Sequence, residues 1–257
     1  MRRSAALSVP KPAFVREVHR RLTTTYGPLD APRRLDPLEE LILTVLSQNT
    51  NDLNRDRAFA AMRARFPTWE ALADAAEPEL EEAIRPGGLS NIKARRILAI
   101  LEEIRDREGG SLDLSWMQDA SAKRVASYLL SLPGVGPKTV ACVLAFSLGR
   151  PALPVDTHVY RVGLRLGFFG PETDAVRAHA VMEKLVPPRL RLTLHVGMIR
   201  HGRAICRAGR PACEVCPLQD VCPSAARFLS ESGARDRARR RGVRGQTGVE
   251  EPIRWSG

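Results

Sequence analysis

Three features of the sequence predict an all-α fold. Apolar residues recur three and four positions apart along almost the whole chain, and no stretch shows the alternation of a half-buried strand. Ser, Thr, Asn or Asp stands ahead of many of these stretches, where a side-chain oxygen can cap the first free N–H groups of a helix. Pro and Gly open or close the same stretches, which leaves about ten short helices joined by short connections.

In chain order, Ala13–Thr25 carries Phe14, Val18 and Leu22 on one face. Pro37 opens a helix to about Gln48 with Leu38, Leu41, Ile42, Val45 and Leu46 inward. Asn51 or Asp52 caps the next, with Ala58, Ala61 and Met62 inward and Pro67 beyond its end. Thr68 starts a short helix holding Ala71 and Leu72, and Pro78–Ile84 forms another that Pro86-Gly87-Gly88 stops. Ser90 is the expected cap of Asn91–Arg107, which carries Ile92, Ile97, Ile100, Leu101 and Ile104 before Gly109-Gly110. Ser121–Ser131, Pro137–Leu148, Asp156–Gly167, Thr173–Val186 and Arg189–Ile205 complete the series. Residues 1–12 read as a loose arm, and the segment from residue 229 on reads as a solvated, disordered tail. From Glu231 that tail holds seven arginines and four acids.

Length and charge narrow the function. A chain of 257 residues builds one or two hydrophobic cores, and 44% hydrophobic content excludes wholesale disorder. Lys+Arg of 40 against Asp+Glu of 29 gives a net charge of +11, so a polyanion is the expected partner, with nucleic acid ahead of a membrane surface. The longest apolar stretches, Leu41–Leu46 and Val140–Phe146, fall far short of the ~20 residues of a spanning helix. The start of the chain does not read as a signal peptide. Of the 40 basic residues only Lys11, Lys93, Lys123, Lys138 and Lys184 are lysines, so chemistry that needs a free amine has few candidates.

Leu132-Pro133-Gly134-Val135-Gly136-Pro137-Lys138-Thr139 lies between two helical stretches and predicts a tight helix–hairpin–helix connection. Its glycines can take positive φ and leave backbone N–H groups uncovered, and Pro137 suits the first turn of the following helix. Bare amides at a helix N-terminus bind phosphate without regard to sequence. Lys138 adds either a plain positive charge or an amine nucleophile, since a helix N-terminus disfavours its charged form. Asp156 follows in Pro154-Val155-Asp156-Thr157-His158, where a carboxylate serves equally as helix cap or as proton acceptor for a nearby reaction.

Four of the five cysteines are clustered as Cys206-x6-Cys213-x2-Cys216-x5-Cys222, which is a metal site rather than a disulfide framework and suits a cytosolic chain. Ligand type alone leaves zinc and an iron–sulfur cluster both open. Cys142, in an apolar helix, reads as core.

LPGVGPKT, PVDTHVYRV and HGRAIC with its three further cysteines, in this order and at this spacing, resemble the endonuclease III family of helix-hairpin-helix DNA glycosylases. The resemblance runs from about Pro37 to Ala226. It implies a bifunctional glycosylase and abasic-site lyase that removes oxidised pyrimidines from duplex DNA during base excision repair. Lys138 would be the nucleophile that forms a Schiff base with the sugar, with β-elimination to follow, and Asp156 would assist it. Gly134, Val135, Gly136 and His158 would lie against DNA.

In a GLxNxKA-like segment, Leu89 corresponds to the wedge that fills the gap left by an extruded nucleotide, and Gln48 and Asn49 occupy the second wedge loop. Asn49 stands where the family usually has glutamine, a departure that shortens its reach. The cysteine spacing resembles a 4Fe–4S site, with Arg207 and Arg210 in a loop that meets phosphate in the family or is simply solvated. The implied architecture is a hairpin lobe of six helices (30–150) and a cluster lobe (13–29 with 151–228), with DNA in the cleft between them. A monomer in a bacterial-type cytoplasm, at the nucleoid, goes with this reading.

Two other readings share parts of the pattern. An adenine or mismatch glycosylase shares the hairpin, aspartate and cluster, but the adenine group has glutamate where Thr44 stands, and neither reading accounts for Lys138. A non-catalytic iron–sulfur DNA-binding module would need neither Lys138 nor Asp156.

Overall fold

The structure, a computed structural model, describes residues 12–29 and 34–230. Among these residues there are helices and no strands. The ordered helices are α1 (Pro12–Tyr26), α2 (Pro37–Leu46), α3 (Asp52–Arg65), α4 (Trp69–Ala73), α5 (Glu77–Ile84), α6 (Ser90–Arg107), α7 (Ala122–Leu130), α8 (Pro137–Cys142), α9 (Thr157–Arg165), α10 (Ala175–Leu185) and α11 (Arg191–Ala204). Pro12 belongs to α1 and residues 225–230 are helical, against the expectation that put residue 12 in the arm and residues 229–230 in the tail. Their other residues, 1–11 and 231–257, lie outside the described ones.

Side-chain caps explain most helix starts, Asn51 and Asp156 as the sequence predicts and Asp36 and Asp174 beyond it. Asp36, Asn51, Thr68, Ser121, Asp156 and Asp174 each accept a backbone N–H of the first turn of the helix that follows. Ser90 does not. It lies inside α6, and the preceding residue, Leu89, takes the non-helical position at φ 51° with no side-chain cap. Two inward positions also differ. Ala61 and Ile92 are exposed, because the buried stripe of α3 runs through Ala58 and Met62, and that of α6 starts at Lys93 and Ala94. Beyond α8 the helix widens into a π turn at Val143–Ser147, with the Leu148 N–H bonded to Val143 O at 3.0 Å.

The apolar interior divides in two. One cluster runs from Leu38 to Ala152 and holds the inward faces of α2 to α8. The other joins Val15, Val18 and Leu22 of α1 to residues between Leu153 and Leu218. Each fully buried Leu, Ile or Val contributes about 1.5–3 kcal/mol, so α1 is bound firmly to a partner helix, α11, far away in sequence. Gly197 permits that approach, since a Cβ there would sit 3.0 Å from Leu29 and 3.3 Å from Leu22. Arg203 of α11 and Asp52 of α3 pair across the two clusters at 2.7 and 3.0 Å.

Candidate functional site

The hairpin forms as the sequence predicts, with one difference in each half. Gly134 takes φ 68° and lies under the Arg96 side chain, which a Cβ would strike, whereas Gly136 has an ordinary φ of −111°. Val135 buries its side chain and donates its amide to Leu132 O at 3.2 Å, so that amide is not on offer to a ligand. The amides of Gly134 and Gly136 have no acceptor among the described residues and are the ones an anion would meet.

Lys138 follows on the first turn of α8, half-buried, and donates from Nζ to Ser47 Oγ at 3.3 Å. Ser47 donates to Thr44 O at 2.7 Å, and Thr44 Oγ1 donates to Glu40 Oε1 at 3.0 Å. Asp156 caps α9 through Oδ1, which accepts from Val159 N at 2.7 Å, and is not hydrogen-bonded to Lys138. Cap and candidate acid–base group are therefore not exclusive alternatives, since capping engages one of the two carboxylate oxygens.

Two histidines hold the backbone just ahead of Asp156. His195 donates from Nδ1 to Pro154 O at 2.7 Å, and the Val155 amide donates to His179 Nε2 at 2.9 Å. Because that Nε2 accepts, the His179 proton sits on Nδ1, which donates to Ala175 O at 2.8 Å. Burial pushes both imidazoles toward the neutral form, His195 down to about 4, so both bonds are in place at neutral pH. The charge of Asp156 acts on His195, and that of Lys138 acts on both imidazoles.

The two candidate wedges share a backbone peculiarity. Asn49 and Leu89 both have φ 51°, and no other described residue except glycine has positive φ. A left-handed conformation costs leucine about 1–2 kcal/mol and asparagine less, so Leu89 in particular is held out at a measurable cost. Leu89 is 48% exposed, a large apolar side chain presented to solvent. Gln48, by contrast, is engaged: its Oε1 accepts from Arg96 Nη1 at 2.6 Å. His158 is half-buried against Gly202 and accepts from Arg161 at 3.0 Å, and burial lowers its pKa.

Cys206, Cys213, Cys216 and Cys222 line one pocket, together with Val162, Leu166 and Arg165. Among the described residues no three Cys, His, Asp or Glu side chains converge closely enough to hold a single metal ion. Donors already point at the sulfurs. Arg165 Nη1 lies 3.2 Å from Cys206 Sγ, and the Leu218 amide 3.4 Å from Cys216 Sγ. Such N–H···S contacts are what anionic sulfur ligands need. Arg161 and Arg165 of α9 also bind the carbonyls of Cys206, Arg207 and Ala208 at 2.7–2.9 Å, which fixes the loop whose exposed Arg207 and Arg210 face solvent. Neither arginine forms an ion pair within the described residues. Cys142 is buried, as expected, and burial raises its pKa.

Four residues that hold the site together are not singled out by the sequence. Glu40, Arg96 and His179 look like ordinary helix-surface residues in a linear pattern, and His195 gives no sign of its backbone partner.

Comparison with known proteins gives a consistent result. Residues 42–188 match the family model of the HhH-GPD superfamily base excision DNA repair proteins, and residues 206–222 match the iron-sulfur binding domain of endonuclease III. Endonuclease III of Thermotoga maritima is 36% identical over 190 residues, which cover 74% of this chain and 84% of that protein. A protein of Arabidopsis thaliana named as a putative DNA glycosylase is 36% identical over 191 residues, 72% of this chain but only 64% of the length of the plant protein. A trapped covalent intermediate of endonuclease III with DNA superposes with a TM-score of 0.75 at 28% identity, covering 86% of this chain and 99% of that one. No described helix is long and apolar enough to cross a membrane.

Proposed function

Because the chain belongs to the HhH-GPD superfamily of base excision DNA repair proteins, and within it to the endonuclease III family, we propose that it excises oxidised pyrimidines from duplex DNA and then cleaves the resulting abasic strand. It is a DNA glycosylase that acts on DNA and carries a 4Fe–4S site. The oxidised base, the lyase step and the residue roles that follow are this proposal's content.

The observation that carries the reading is Lys138: a half-buried amine beside a phosphate-binding hairpin, held by one long hydrogen bond to a hydroxyl. Its nitrogen attacks C1′ of the damaged nucleotide, and the C1′–base bond breaks with the electron pair leaving on the base. The proton shed by nitrogen goes to a nearby base, and the free carboxylate oxygen of Asp156 is the candidate. The sugar ring then opens to a Schiff base, and removal of a C2′ proton expels the 3′ phosphate. The amides of Gly134 and Gly136 grip a backbone phosphate, and Leu89 and Asn49 enter the duplex where the nucleotide has left. Arg207 and Arg210 add phosphate contacts.

Cys206, Cys213, Cys216 and Cys222 hold the cluster, which cross-links the loop after α11 and takes no part in base removal. The two apolar clusters correspond to two lobes, 30–150 and 13–29 with 151–228, and DNA lies in the cleft between them. The protein acts as a monomer on nucleoid DNA in a bacterial-type cytoplasm.

Borohydride trapping on a duplex with one thymine glycol tests the reading. The wild type forms a covalent protein–DNA adduct, and Lys138→Gln forms none. Tight lesion binding with no adduct from either protein would instead identify a monofunctional glycosylase or a binding module.

A further inference from the structure

Glu40 is a buried carboxylate with no place in the mechanism above. It is 8% exposed on the face of α2 that carries Thr44 and Ser47, at positions i, i+4 and i+7. These three make a polar stripe toward α8, with Lys138 bonded to the Ser47 hydroxyl, Ser47 to the Thr44 carbonyl and the Thr44 hydroxyl to Glu40, so the hydrogen bonds from the two ends meet at Thr44 through its covalent frame.

The charged and titratable groups around Glu40 are few. Lys138 and the buried Cys142 face it from α8, Arg55 from α3 and Glu39 from its own helix, while Lys93 of α6 is bonded to Leu46 O at the far end of α2. Of the charges acting on Glu40, that of Lys138 is the strongest. Burial pushes the Glu40 carboxyl up to about 7, so it changes charge near neutral pH.

Resting on the reading of Lys138 as the nucleophile, we propose that Glu40 is a positioning residue that regulates it: ionised, Glu40 holds the proton and the orientation of the Lys138 ammonium through the Thr44–Ser47 face, and neutral, it releases them. The physical basis is Coulombic. A carboxylate in a protein interior stabilises a nearby ammonium, and its neutral form does not. Glu40 therefore restrains the amine above neutral pH, and the restraint fades as the pH falls.

The test compares rates of borohydride trapping by wild type and Glu40→Gln from pH 5.5 to 9. Glutamine mimics the neutral acid, so the two rates coincide at the acid end. Above pH 8 the variant traps about three- to tenfold faster, because it lacks the charge that retains the proton. Glu40→Asp, which keeps a charge on α2, follows the wild type more closely than the glutamine variant does. A variant-to-wild-type ratio that stays flat across the range overturns the proposal.

A second readout does not depend on lyase activity. With 13C-labelled glutamate, the Glu40 carboxyl titrates at a higher pH in Lys138→Gln than in the wild type, because the cation that favours its ionised form is gone. An unchanged midpoint also overturns the proposal. If the wild type forms no adduct while the Glu40 midpoint still moves, the lyase reading fails and the Glu40–Lys138 coupling stands.

Discussion

Leu89 stands in a conformation that leucine avoids, with its side chain in water, and neither property helps the fold. Strain and exposure together are what the proposed entry of Leu89 into DNA would account for. Leu89→Gly therefore separates the two roles. Glycine adopts this φ without strain, so thermal stability holds or rises, whereas lesion excision falls by about tenfold or more once nothing fills the gap in the duplex. A matched loss of stability and excision would show that Leu89 is simply a structural residue. At this scale the sequence was uneven as a guide. Lys138, Asp156 and Leu89 stand out as candidates because motifs name them, but nothing linear shows that Asn49 and Leu89 share a left-handed backbone. Glu40 escaped notice because Glu39 and Glu40 look like an ordinary acidic first turn, and only packing shows that one of them is buried.

At the scale of elements, the join between α2 and α6 shows how a motif residue can be structural. Lys93 is 2% exposed, and its ammonium donates to Leu46 O at the end of α2 and to Gly87 O in the turn before α6, both at 2.8 Å. It thereby satisfies a terminal carbonyl of one helix while fixing the turn that carries Leu89. Lys93→Met keeps the stem volume and leaves both carbonyls without a donor, so denaturant unfolding should show a loss of about 2–4 kcal/mol with an unchanged slope. A loss under about 1 kcal/mol would mean that water replaces the amine. Helix positions were largely legible in advance because caps and periodicity are local. The Ser90 cap was misplaced for a local reason too, since Leu89 takes the boundary position that a serine before a helix normally occupies. The inward faces of Ala61 and Ile92 failed because periodicity gives a stripe, while its edge depends on which neighbour covers it.

Across the whole molecule, the cysteine loop joins distant parts of the second cluster. Arg165 fastens it to α9, and Asp220 pairs with Arg21 of α1. Cys213→Ser, which removes one ligand, should abolish the visible absorbance of the cluster. Hydrogen exchange should quicken in α1, α9 and α11 while α2 to α7 stay protected. Uniform loss of protection would instead mean that the two cores unfold as one. A division into two lobes was expected from the family resemblance and not from any one stretch of sequence, because α1 finds its partner far along the chain. That separation also matters while the protein is being made. The first core is complete once residue 152 has emerged, but Val15, Val18 and Leu22 must wait for Leu194 and Met198. At translation speeds of about 5–20 residues per second, the apolar stripe of α1 stays uncovered on the ribosome for roughly 10–35 s. The earliest helix to be synthesised is thus among the last to be buried, and during that interval it is the segment on which a nascent-chain chaperone would act.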